Sequence, residues 1–565
     1  MSAAAASKKG ARKLSEDPAR FVVPHPPTSV HHIVGSTVTM AKLPSQAACR
    51  ACLGARQTAQ PAQIQARVPQ VTSRLHARAR SLHTAAALAS SVRSAASLHS
   101  SLHSRAFSSS PLHNFSGSRV SHLPTSITIL GKEYPTDDHT NIPDSILSRL
   151  APSPTLPYTS NHPLALLRDQ IEASIGPNYT AIQATSPVVS TELNFDDLGI
   201  AADHPGRSPT DTYYVNRDTC LRTHTSAHEV QTFRNKHERW LLTADVYRRD
   251  EIDASHYPIF HQVEGAAIFA HEDYAPGGKV EQECIEMERK LAGANFEIED
   301  VVGLSEAGGY QSHHDPREAA LAVRHLKATL NGLALDLFGE RHAYDAAQKG
   351  GGSEPLRVRW IPAFFPFTSP SYEVEVWFRG KWLEILGSGV VQQKTLDKAG
   401  VPDRLGWAFG LGLERIAMVL YSIPDIRLFW TKDPRFLGQF ASAPTNQVSA
   451  AGGKATSTKA SKPKLLTFKT YSKYPPCYKD VSFWLPQERK FHENDLFEIV
   501  RDRVGDLVED VVKIDDFVHP KTKKQSLCYR INYRSMDRSL ENEEVNQLHS
   551  DVLHRLVDQL AIEIR

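Results

Sequence analysis

The stretch Leu241-Leu242-Thr243-Ala244-Asp245-Val246-Tyr247-Arg248-Arg249-Asp250 passes through a polar loop to Phe260-His261-Gln262-Val263-Glu264-Gly265 and on to Phe269. Two apolar runs around the polar segment Asp250–Tyr257 predict a strand–loop–strand unit over Leu241–Phe269. Upstream, Asn161-His162-Pro163 starts a helix whose apolar positions Leu164, Leu167, Ile171 and Ile175 keep helical spacing until Gly176-Pro177 stops it. A shorter helix is expected over Ile142–Leu150 after a strand at Ser126–Leu130. Downstream, residues 315–338 read as a long amphipathic helix, and Gly339–Pro355, with Gly350-Gly351-Gly352, as a surface loop. Short strands follow at Val358–Pro362, Tyr372–Phe378 and Lys381–Leu386, then glycines and an apolar run from Gly406 to Leu420. Strand runs and helices without regular alternation predict an α+β fold built on a mixed antiparallel sheet with flanking helices.

Beyond Ala441–Lys464, a linker of small and polar residues, the last hundred residues form a second unit. Its expected order is strand (Leu465–Lys469), strand (Asp480–Leu485), helix (Asp495–Gly505), strand (Leu507–Asp516), strand (Ser526–Tyr533) and helix (Glu541–Leu560). That order suits a ferredoxin-like α+β sandwich over 465–565.

The start of the chain has a different character. Between Pro18 and Lys132 there is no Asp or Glu, while Lys and Arg occur 12 times among Ser, Ala and His. This composition marks residues 1–107 as a disordered organellar presequence, with Arg105-Ala106-Phe107 at its processing site and Met40 as an alternative start. Without it, 51 basic and 61 acidic residues remain, a net charge of −10. Such a chain contacts nucleic acid only through a local patch. No apolar run approaches the roughly 18 residues of a membrane span, so no membrane insertion is expected. The six cysteines form no disulfide framework, and Cys49-Arg50-Ala51-Cys52 is a lone pair with no second pair to complete a zinc site.

Three clusters carry chemistry: Arg248–Gly265, Phe364-Phe365-Pro366-Phe367, and Gly410-Leu411-Gly412-Leu413-Glu414-Arg415, with His224-Thr225-Ser226-Ala227-His228 as a fourth string. Each alone has an ordinary reading: a solvated ion-pair face, a core segment, a strand-to-helix turn, a pair of surface histidines. Together and in this order they resemble the class II aminoacyl-tRNA synthetases, and within them the single-chain mitochondrial phenylalanyl-tRNA synthetases, over roughly Ser126–Arg565. The resemblance implies a catalytic domain at 108–440, with motif 1 near 162–177, motif 2 near 241–269 and motif 3 near 406–420. It also implies a ferredoxin-fold anticodon-binding domain at 465–565, signed by Ser472-Lys473-Tyr474-Pro475 and Phe517-Val518-His519-Pro520.

The implied activity joins phenylalanine to mitochondrial tRNA(Phe) in the mitochondrial matrix, through an adenylate, using ATP and Mg²⁺. Arginine suits this work because its planar fork grips phosphate and carboxylate at two points. By resemblance Arg248 holds the α-phosphate and the attacking carboxylate, Arg415 the γ-phosphate, and His256 the phosphates as well. Gly410 and Gly412 let the strand pass close beneath adenine and ribose. Glu373 and Glu384 are the Mg²⁺ candidates. His224, Ser226, Gln262 and Glu264 surround the backbone of the amino acid, Phe365 and Phe367 pack edge-to-face on its ring, and Ala408 closes the far end. A tyrosine there buries a hydroxyl without a partner, at a cost of about 1–3 kcal/mol.

Two departures stand out: Asp250 where many class II enzymes carry Glu, and Glu229 where Gln is more usual. In the C-terminal unit Lys521, Lys523, Lys524, Arg530, Arg534 and Arg538 are expected to line one face of a hairpin for tRNA, with Tyr529 and Tyr533 for base stacking. Single-chain relatives act as monomers, whereas most class II enzymes pair through motif 1. The competing hypotheses are an inactive relative that only holds RNA, which predicts damage at Arg248, Glu264 or Arg415, and a metal hydrolase built on His224 and His228.

Overall fold

A computed structural model describes residues 124–150, 155–349, 354–441, 465–470, 474–486 and 490–565. The expected presequence with its CxxC pair and processing site, Gly350–Gly352, nearly all of the linker, and Ser472-Lys473 lie outside the described residues. Among those described, no helix is long and apolar enough to cross a membrane.

The strand–loop–strand unit seeds the main sheet. Strand β1 (Thr180–Gln183) lies parallel to β2 (Arg239–Tyr247), which pairs with β3 (Ile259–Ala270). Farther along the chain come β4 (Phe296–Glu299), β5 (Leu356–Pro362), β6 (Thr368–Phe378), β7 (Lys381–Val391) and β8 (Arg404–Gly412). The spatial order is β1-β2-β3-β8-β7-β6-β5-β4, antiparallel within and parallel at both edges. The outermost pairs are thus the ones whose connections must cross over, which is why the sheet is mixed.

Strand β2 is buried on both faces. On one face Leu241, Val263, Ala267 and Phe409 pack with α1 (Pro163–Ile175), α4 (Pro316–Gln348) and α6 (Leu413–Tyr421) in one large core. On the other, Trp240, Leu242, Ala266 and Ala408 meet Val230 and Phe233 of α2 (Glu229–Arg234) and Leu396 of α5 (Gln393–Ala399). Helix α3 (Lys279–Ala292) runs against α4. Helix α1 begins where the sequence predicts, with the His162 ring accepting from Leu164 N–H and Pro163 at its first position. Helix α4 has 33 residues, so Gly339–Gln348, expected as loop, is helical. Gly339 is tolerated because Ala, Leu and Arg around it are good helix formers.

The C-terminal unit runs β9 (Cys477–Trp484), α7 (Glu493–Val504), β10 (Val508–Val518), β11 (Gln525–Tyr533), α8 (Asn542–Leu560) and β12 (Glu563–Ile564). Its sheet order is β10-β11-β9-β12, with every pair antiparallel. The ferredoxin-like class is as expected, but the first strand is not. Leu465–Lys469 forms no strand; Phe468 enters the core of the first domain, its N–H donating to the Tyr421 carbonyl. The fourth strand is instead the two-residue β12 at the chain end.

The two domains share a buried polar seam. Arg427, in the short turn after α6, donates through Nε and Nη2 to both oxygens of Asp425 (3.0 and 2.8 Å). Its Nη1 reaches the carbonyls of Asp506 (2.9 Å), Val508 (2.9 Å) and Arg534 (3.0 Å) in the C-terminal domain. Tyr213 donates to Glu498 (2.8 Å), and Arg501 to Glu498 (2.9 Å) and the Asp250 carbonyl (2.6 Å). Ile252, from the loop between β2 and β3, is buried in the C-terminal core, where its carbonyl accepts from Val511 N–H (3.0 Å).

Candidate active site

Strand pairing decides which side chains meet. On β8 and β3, Ala408 lies opposite Ala266, Gly410 opposite Glu264 and Gly412 opposite Gln262. On β7, Gly387 lies opposite Gly410 and Gly389 opposite Ala408. Period two puts Gln262, Glu264, Ala408, Gly410 and Gly412 on one face of the sheet, away from the large core. A Cβ at Gly410 or Gly412 would meet nothing within 4 Å, so this face is open above the glycines. A Cβ at Gly387 would come within 2.6 Å of Cζ of Phe365, whose ring rests on that glycine.

Over this floor lies a cavity of about 350 Å³. Arg248, His256, Gln262, Glu384, Gly410, Gly412 and Arg415 all line it, so the residues expected around ATP converge on one hollow. The Arg248 Nε–H donates to the Thr223 carbonyl (2.9 Å), and its guanidinium lies 5.2 Å over the Phe260 ring, which fixes its plane. Arg415 is more than half exposed and sits 3.7 Å from Glu384. Of the two Mg²⁺ candidates, only Glu384 lines the cavity. Glu373 is buried one strand away, opposite Gly387, and the register sets Glu375 rather than Glu373 across from Glu384.

His256 bonds Asp253 through Nδ1 (2.7 Å). That hydrogen bond is the main reason its pKa is raised, while the partner Asp253 is lowered despite its burial, chiefly by the same contact. The loop therefore brings to the cavity a ring that holds its proton more firmly than a free imidazole. Behind it, Glu414 of α6 accepts from both the Nδ1 (2.6 Å) and the backbone N–H (2.9 Å) of His261, tying the motif 2 strand to the motif 3 helix.

A second group of expected residues lies beside the cavity. His224 Nε2–H donates to the Asn194 carbonyl (3.0 Å), leaving Nδ1 an acceptor that is buried and without a partner. Burial, and then the charge of Arg248, pull its pKa down to about 3, so the ring is neutral. Gln262 Oε1 accepts from Thr225 N–H (3.2 Å), and Thr225 and Ser226 offset part of the rise that burial gives the Glu264 pKa. Phe365 and Phe367 stack with centroids 5.8 Å apart, and Phe367 stacks in turn on His224 at 6.4 Å. Ala408 is buried beside Ala266. His224 and His228 face different partners, the Asn194 carbonyl and Arg222 (3.0 Å), so they do not form a metal pair.

The basic hairpin departs from expectation. Lys521, Lys523 and Lys524 are exposed at its tip. Arg530, however, is paired with Asp480 (2.8 Å), Arg534 with Glu509 (2.7 Å) and Arg538 with Glu544 (2.8 Å), and Lys524 lies 3.6 Å from Glu563. Tyr529 and Tyr533 are fully buried and cannot stack on bases. The exposed aromatic ring beside Arg530 is Tyr478, at 4.5 Å.

Comparison with known proteins places this architecture. Residues 150–284 and 318–440 match the model for the tRNA synthetases class II core domain, and residues 472–565 that for the ferredoxin-fold anticodon binding domain. Mitochondrial phenylalanine–tRNA ligase of Saccharomyces cerevisiae is 41% identical over 479 residues, covering 80% of this chain and 97% of that protein. The chain belongs to the mitochondrial phenylalanine–tRNA ligase family. The Mus musculus member is 41% identical over 464 residues (80% of this chain, 91% of that protein). The chloroplastic/mitochondrial phenylalanine–tRNA ligase of Arabidopsis thaliana is also 41% identical (76% and 84%). Phenylalanine–tRNA ligases are class II synthetases, and the geometry above is the candidate site of this chain. Three of its supports were missed in the sequence. Asn194 positions His224 from a short helix with no motif, Asp253 holds His256 from within a polar loop, and the His261–Glu414 contact joins residues 153 apart.

Proposed function

We propose that the chain activates phenylalanine with ATP and passes it to the 3′-terminal ribose of mitochondrial tRNA(Phe). The observation that carries this is the convergence of Arg248, His256, Gln262 and Arg415 on one glycine-floored cavity, with Glu264 opposite Gly410 and the Phe365 ring against Gly387 beside it.

The phenylalanine ring lies between Phe365, Phe367 and Ala408, and its ammonium meets Gln262 and Glu264. That leaves its carboxylate toward Arg248. One carboxylate oxygen attacks the α-phosphorus of ATP, the new O–P bond forms, and the bond to pyrophosphate breaks with its electron pair leaving on oxygen. Arg248 spans the carboxylate and the α-phosphate, the two groups whose repulsion opposes the step. Arg415 and protonated His256 hold the departing phosphates, while Gly410 and Gly412 give ATP a surface without side chains. Mg²⁺ supplies further neutralisation of phosphate charge when bound, and Glu384 is the cavity carboxylate suited to hold it together with phosphate oxygens. A ribose hydroxyl of the tRNA end then attacks the carbonyl carbon, and AMP departs. Lys521, Lys523 and Lys524 supply the exposed positive charge for the tRNA.

The protein acts as a monomer in the mitochondrial matrix. The test is pyrophosphate exchange into ATP with each of the twenty amino acids, followed by charging of tRNA(Phe). Exchange that depends on phenylalanine supports this function, and exchange with none, in a folded protein that binds ATP, refutes it.

A further inference from the structure

Glu229 opens α2 directly after the turn that carries Ser226, and only 1% of its surface is exposed. Neither of its carboxylate oxygens has a hydrogen-bond partner, and Oε2 of Glu264, itself 2% exposed, has none either. The charge that acts on Glu229 is that of Glu264. Two buried carboxyls in mutual repulsion do not both ionise without a cation between them.

The charged groups on the surrounding elements do not supply that cation. On the strands, Arg222 is bound to Asp245 and to the Ser186 carbonyl, and Arg248 to the Thr223 carbonyl and the cavity. On α5, Lys398 pairs with Asp197, Lys394 reaches the Pro366 carbonyl, and Asp397 takes Gln393. On α2 itself Arg234 donates to the Lys398 carbonyl. In the preceding turn His224 and His228 are held neutral by burial and the neighbouring arginines, at pKa values of about 3 and 4. The pair is thus one cation short, beside the turn that carries Ser226.

We propose that Glu229 is a positioning residue of the ammonium subsite: it and Glu264 form a carboxyl pair that keeps an extra proton while empty and releases it to solvent when an α-ammonium enters. The ammonium arrives with its own charge and donors, the O–H of the protonated carboxyl breaks, and the freed carboxylate accepts from N–H. The proposal rests on the amino-acid activation described above. Burial raises both groups, Glu229 strongly and Glu264 to about 7, so the release falls in the neutral range.

Calorimetric titration of the full chain with phenylalanine at pH 7, in buffers of different ionisation enthalpy, tests this. The expected result is release of more than half a proton per site, since Glu264 is then about half protonated and Glu229, raised further, supplies the rest. At saturating ATP, KM for phenylalanine falls about tenfold from pH 6 to pH 8. Glu229→Gln, isosteric and uncharged, still binds phenylalanine but releases only the half proton of Glu264. 3-Phenylpropionate, which lacks the ammonium, releases none from the wild type, so the outcome is readable even if the variant fails to fold. A buffer-independent heat in the wild type, or equal release from wild type and Glu229→Gln, overturns the proposal. No heat with phenylalanine from the folded wild type overturns the activation reading instead.

Discussion

Arg427→Ala probes the seam between the domains, because this one side chain makes five hydrogen bonds, three of them across the seam and two to Asp425 that hold the guanidinium in place. Arg427 and Asp425 are each 5% exposed, so deleting the guanidinium strands a buried carboxylate and leaves three carbonyls of the C-terminal domain short of a donor. Removing one partner of a buried ion pair costs about 3–5 kcal/mol. Each carbonyl bond lost adds up to roughly 1–2 kcal/mol, reduced where water enters the gap. The losses are not additive, and a net of about 4 kcal/mol is expected. Arg427→Lys keeps the charge but not the fork, and should lose roughly half of that. Urea unfolding followed by tryptophan fluorescence reads the effect, since Trp430 stacks on His261 beside the seam and Trp484 reports from β9. The expected result is a C-terminal transition that moves to lower urea and separates from that of the first domain. Unfolding of Arg427→Ala within about 1 kcal/mol of wild type would refute this account of the docking.

Other perturbations test the site directly. Gly387→Ala puts a Cβ 2.6 Å from the Phe365 ring and pushes it into the aromatic pocket. Its KM for phenylalanine should rise at least tenfold in the exchange assay, with KM for ATP changed far less. For His256, whose pKa is raised, the cationic form is complete below its ordinary pKa and lost as pH rises through the raised value. Steady-state kcat/KM for ATP should therefore fall as pH rises through that raised value, and Asp253→Asn, which removes the main cause of the shift, should move the fall to lower pH.

Legibility from sequence followed the local patterns. The motif 2 strands and the Gly410–Arg415 strand-to-helix turn were readable because each is a contiguous run with its own period and stop. The fate of Leu465–Lys469 was not, because an apolar run of five cannot say whether it pairs as a strand or, as Phe468 does, fills a neighbour's core. Tyr529 and Tyr533 were readable and misassigned: with Leu527 and Ile531 they alternate along β11, and that face is the buried one. The arginines of the hairpin are different, since their neutralising partners Asp480, Glu509 and Glu544 lie on other elements and appear only once the sheet and helix are assembled. The unusual acid at Glu229 was visible in the sequence; its lack of any partner was not.

The central claim is that Arg248 bridges the amino-acid carboxylate and the phosphate being attacked, and phenylalanine-dependent pyrophosphate exchange by Arg248→Ala tests it most directly. The account predicts a loss of about 10³-fold or more in kcat, as for removal of a charge-stabilising donor at a reacting centre, with the fold and ATP binding retained. Exchange within threefold of wild type would contradict it.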